Sequence, residues 1–151
     1  MKLLVNAYPL RDAGLLLLRI GLGLMFMVHG GPKLAGGPAY WQKIGESLAA
    51  FGITFLPQFW GFMAGFAEFG GGLLLLLGLF FRPSCLLLLI TMVVATNSHL
   101  SRGDDLNGAS HAIEAGVTFL GLLFIGPGRF SLDEKLFKSS RGQRRGKVRV
   151  K

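Results

Sequence analysis

Seven ionisable side chains stand inside, or at the ends of, strongly apolar runs: Arg19, His29, Lys33, Glu68, His99, His111 and Glu114. Glu68 is the deepest. It lies within residues 59–81, a 23-residue run in which it is the one ionisable group. A carboxylate at the centre of a bilayer costs about 2.5–3.5 kcal/mol on insertion scales, so it is usually retained for proton, quinone or metal chemistry, or as the structural partner of a cation. Steps of four, three and four place Gly61, Gly65, Glu68 and Gly72 on one helical face. Small residues let helix backbones approach closely, so this face is expected to turn inward and carry the carboxylate with it.

The three histidines gather toward one side of the membrane by depth. His29 and Lys33 end the first apolar run, His99 ends the third, and His111 and Glu114 open the fourth, with Asp104 and Asp105 in the intervening loop. Together with Glu68 beneath and Phe26, Trp41, Phe55, Trp60 and Phe62 around them, they read as a polar pocket at the extracytoplasmic end of a bundle. A quinone, with carbonyl groups on an apolar body, suits such a lining. Glu68 and Glu114 would manage protons, while Arg19, His29, Lys33, His99 and His111 would bind the head group. His111, Glu114 and Thr118 also share a face, and a His-x-x-Glu pair turned into a bundle can hold metal. A real site needs three or four converging ligands, which the spacing does not supply, so neither metal nor haem is expected.

Composition fixes the setting. Of the 151 residues 51 % are apolar and only 16 % charged, below the usual quarter for soluble domains. This is the profile of an all-α polytopic membrane protein. Four apolar runs, at about 13–31, 59–81, 84–100 and 109–126, predict an antiparallel four-helix transmembrane bundle within residues 1–138. Turn chemistry at Gly31-Pro32, Arg82-Pro83, residues 103–108 and residues 126–128 separates the runs. Residues 32–58 place Tyr40, Trp41, Ile44, Leu48 and Phe51 to Ile53 roughly on one face, which predicts a short amphipathic helix between the first two spans. Ser131 followed by Glu134 matches a capping box and predicts another short helix after the last span.

The formal charge of +8 resembles a nucleic-acid signal until the charges are placed. Nine of the sixteen Lys/Arg follow Pro127, so topology and contact with anionic lipid explain them better, and no nucleic-acid partner is expected. With the N-terminus inside, twelve basic residues are cytoplasmic and three are not, which predicts an N-in/C-in arrangement with residues 139–151 as a basic cytoplasmic tail. Arg11 and Asp12 precede the first run, Arg19 interrupts it and no A-x-A site follows, so that run is expected to be retained. Cys85 is the one cysteine, which excludes an internal disulfide or CxxC chemistry.

The stretches LLRIGLGLMFMVHGGPKL (17–34), AEFGGGLLLLLGLFFRP (67–83), His99-Leu100, Glu114 and GPGRFSLD (126–133) resemble the DoxX family of small bacterial membrane proteins. The resemblance implies a four-helix protein of the bacterial inner membrane, with Arg19, His29, Gly30, Lys33, Glu68, Gly71, Arg82 and Glu114 at family-type positions. It also implies a link to thiosulfate–quinone oxidoreduction or to membrane complexes that handle oxidative and thiol stress. Two functions from different classes follow. One is a quinone-linked redox or electron-transfer subunit, an oxidoreductase component. The other is a non-catalytic accessory or scaffold subunit, held to other membrane subunits or to its own copies through faces such as Gly61/Gly65 and Ala112/Gly116. A small-molecule or ion carrier is a third, resting on the intramembrane charges alone.

Overall fold

A computed structural model describes residues 10–137, and the basic tail at 139–151 and Lys2 lie outside them. Among the described residues five α-helices follow in order, α1 (Arg11–Ala35), α2 (Gly37–Gly45), α3 (Pro57–Leu77), α4 (Phe81–Ser101) and α5 (Leu106–Ile125), before a short helical segment over 132–137. A 3-10 turn, Glu46–Phe51, continues α2. The described residues contain no strand. Helices α1, α3, α4 and α5 are each long and apolar enough to cross a membrane, so the expected four-span all-α architecture is present.

Two boundaries differ from expectation for reasons the backbone supplies. Gly31-Pro32 does not turn: α1 runs through Pro32 to Ala35. Proline removes one intrahelical hydrogen bond, a loss that membrane helices tolerate when neighbours compensate. The extra turn is what carries Lys33 alongside α3. Arg82-Pro83 does not turn either. The reversal occurs at 78–80, where Gly78 (φ 64°) ends α3 and Phe80 (φ 46°) precedes α4. Pro83 then falls in the first turn of α4, where a missing N–H is harmless.

Glycines set the contact between α1 and α3. A Cβ on Gly72 would lie 2.8 Å from the Gly23 carbonyl oxygen, and one on Gly65 would lie 3.0 Å from the Lys33 Cβ. Gly61, Gly65, Glu68 and Gly72 are all buried, so the inward face read from their spacing is the observed one. On the other side, Gly116 of α5 packs beside Met92 and Leu89 of α4. Leu75, Phe81, Cys85, Leu88, Phe119 and Leu122 fill the centre. Helices α1 and α5 scarcely meet through their backbones. Phe26 and Phe119 bridge them edge to face, with ring centroids 4.9 Å apart.

The end of the bundle holding the α3–α4 turn is locked by polar groups. Arg19 is 1 % exposed, and its guanidinium donates to the carbonyls of Leu75 (3.1 Å), Leu76 (2.8 Å), Pro127 (3.2 Å) and Phe130 (3.2 Å). It thereby caps the open carbonyls at the end of α3 and ties the 126–133 segment to them. Asp133 accepts from the backbone N–H groups of Phe80 and Phe81, both at 2.9 Å, which caps α4 from a distant part of the chain. The N–H of Arg129 donates to Asp12, and Arg11 donates to the carbonyl of Ile125. Ser131 caps the expected short helix: the Glu134 N–H donates to Ser131 Oγ at 3.1 Å, and residues 132–137 are helical.

At the opposite end, α2 roofs the bundle. It packs on α3 rather than lying free as an interfacial strip, with Trp41 edge-on to Phe62 at 5.1 Å. Under the orientation expected from the basic residues, this roofed end is the extracytoplasmic one.

Candidate functional site: a buried lysine–glutamate pair

The proline-tolerant extension of α1 and the glycine face of α3 together create one intramembrane ion pair. Gly65 has no side chain to hold α1 away, so Lys33 packs against it and reaches the residue one turn further along α3. Lys33 Nζ donates to Glu68 Oε1 at 2.6 Å. The Glu68 side chain is 3 % exposed and that of Lys33 is 29 % exposed. Trp41 Nε1 donates to the Lys33 carbonyl at 2.8 Å, so the roof helix fixes the same turn of α1 that presents the ammonium.

The pair is incompletely satisfied. Glu68 Oε2 is buried and has no hydrogen-bond partner among the described residues. Ionised carboxylates normally fill both oxygens when buried, because each unsatisfied acceptor forfeits about 1–3 kcal/mol. Trp60 Nε1 and Asn97 Nδ2, from α3 and α4, are also buried donors without partners. The position therefore offers a cation and a free acceptor side by side in an apolar surround.

The other expected site residues are placed elsewhere. Arg19 does not approach Glu68; its donors are spent on four carbonyls in the lock. His99 pairs with Asp104 at 2.7 Å on the surface, with Arg102 nearby. His29 is exposed, with its ring 6.5 Å from that of Phe26. His111 and Glu114 are exposed as well, so their shared face does not look into the bundle. The small residues Ala109, Ala112 and Gly116 turn inward instead, because they allow α5 to close on α4. Among the described residues, no three His, Cys, Asp or Glu side chains gather as a metal-ligand group. Sequence reasoning missed Trp41 and Asp133 as positioning residues. Both act on backbone groups far along the chain, for which spacing gives no signal.

Residues 14–100 match the DoxX family. An uncharacterized protein of Haemophilus influenzae is 32 % identical over 139 residues, covering 88 % of this chain and 98 % of that protein. No solved structure matches. Four spanning helices, the glycine-lined Glu68 face and these matches agree: the chain is a membrane protein of the DoxX family.

Proposed function

We propose that the Lys33–Glu68 pair binds the head group of a quinone, and that the protein serves as a quinone-linked redox subunit. The observation that carries this reading is the buried, unpartnered Oε2 of Glu68 beside a membrane-embedded ammonium. Lys33 would donate to one quinone carbonyl. Glu68, when protonated, would donate to the reacting oxygen and be reloaded through the part-exposed Lys33 side. Reduction of a quinone to a quinol takes two electrons and two protons; this chain's residues handle binding and protons, and a redox partner subunit supplies the electrons. The bacterial inner membrane, where such quinones reside, is the compartment this reading requires.

The test is a titration of the full chain in nanodiscs with a short-chain ubiquinone analogue, read by quenching of Trp41 and Trp60 fluorescence. Saturable quenching is expected, weakened at least tenfold in Glu68→Gln and in Lys33→Met. Quenching that is non-saturable, or unchanged in both variants, rejects the site. The non-catalytic accessory role is the second reading, favoured by the exposed polar residues of α5; it predicts no saturable binding in any form of the protein.

A further inference from the structure

Helix α5 carries a second face that the bundle does not use. His111, Glu114, Thr118, Gly121 and Ile125 recur at steps of three, four, three and four, the a/d spacing of a helix–helix seam. They lie roughly opposite the buried set Ala109, Ala112, Gly116 and Phe119. His111, Glu114, Gly121 and Ile125 are exposed, Thr118 is half-buried, and nothing approaches within 4 Å of a Cβ built on Gly121. Glu114 is eight residues into the span, about 12 Å from its start at 1.5 Å per residue. A carboxylate at that depth facing acyl chains is expensive and calls for a partner within the membrane. Thr118 does not serve: its hydroxyl donates to the Glu114 backbone carbonyl at 2.8 Å and leaves the carboxylate alone.

The strip is complementary to itself. It holds an acid and a base three residues apart, so a two-fold axis along the membrane normal brings each histidine to the other copy's glutamate. Further along, Gly121 removes the bulk that would keep two such helices apart. We propose that this strip is the seam of a homodimer in which the α5 helices of two copies run side by side, His111 of each pairing with Glu114 of the other. The seam is separate from the Lys33–Glu68 site and holds whether or not that site binds a quinone.

Disulfide trapping in native membranes tests it with the full chain, in a Cys85→Ala background. Gly121→Cys should oxidise to a species of twice the chain mass. Leu120→Cys, also exposed but off the strip, should give at least fivefold less. No band at Gly121→Cys, equal bands at the two positions, or a band of any other mass overturns the homodimer. In liposomes, energy transfer between labelled copies should show a dissociation constant about tenfold higher for Glu114→Gln, in line with intramembrane hydrogen bonds. An unchanged constant overturns the His111–Glu114 pairing. Glu114, Leu120 and Gly121 lie on the outer surface, so their substitutions leave the packed core untouched, and native-like tryptophan emission checks that the Cys85→Ala background, a change within the core, keeps the fold.

Discussion

Removing one member of the Lys33–Glu68 pair should cost far more than removing the other, and the burial figures say which. The gross attraction of two unit charges at the observed 2.6 Å is about 6 kcal/mol at an effective dielectric of 20. Desolvation offsets most of it, so the intact pair contributes little net stability. Lys33→Met strands a carboxylate that is 3 % exposed, and uncompensated buried charges cost about 3–5 kcal/mol. Glu68→Gln strands an ammonium that is 29 % exposed on a flexible stem, which can swing toward the interface for about 1–2 kcal/mol. The double variant lacks both charges and, since the intact pair contributes little net stability, should cost no more than about 1 kcal/mol, leaving a coupling of roughly 5 kcal/mol. Reversible unfolding in mixed micelles with increasing denaturing detergent, followed by tryptophan emission, gives all four corners of the cycle. Equal costs for the two single variants, or a costlier Glu68→Gln, would refute the assignment of Glu68 as the sequestered partner.

Two further outcomes follow from the packing. Arg19→Ala should destabilise by about 3–5 kcal/mol in the same unfolding assay, because four carbonyls of α3 and the 126–133 segment lose their donor together; a loss below about 1 kcal/mol would show that water or other groups replace it. Gly72→Ala should cost about 1–3 kcal/mol by forcing α1 from α3, whereas Gly21→Ala, whose Cβ meets nothing within 4 Å, should stabilise by up to about 1 kcal/mol through helix propensity. Thermal denaturation of the two variants side by side checks the pair, and a shift of the same sign in both would contradict the contact geometry.

The spans and the inward glycine face of α3 were legible because both are local: apolar length marks a span, and a spacing of four, three and four fixes a helical face. Turns were legible at 103–108 and 126–128, where glycines carry a positive φ, and misread where proline was taken as the break. Gly78 and Pro83 show why. A left-handed residue must end a helix, while proline can equally begin one. The destination of Arg19 was not legible, since its acceptors are carbonyls on residues 75–76 and 127–130, and every residue carries a carbonyl. The inner face of α5 offered two candidates, polar His111/Glu114 and small Ala112/Gly116. Polarity favoured the first, but close packing against Met92 decided for the second.

The two ends of the bundle are held by different chemistry, and this bears on where function can reside. At the α3–α4 turn, charged side chains answer backbone groups: Arg19 on carbonyls, Asp133 and Asp12 on N–H groups. Such bonds fix the chain path and leave the charged groups engaged. At the roofed end a single side-chain ion pair, one tryptophan bond to a carbonyl and aromatic edge contacts join α1, α2 and α3. One acceptor there stays open and two donors stay unpaired. Each buried polar group left without a partner costs free energy, which a ligand that satisfied it would recover. A lipid-soluble molecule that entered there would gain hydrogen bonds the protein alone does not make, which is why the pair at Glu68, rather than the better-satisfied arginine, is the place to look for binding.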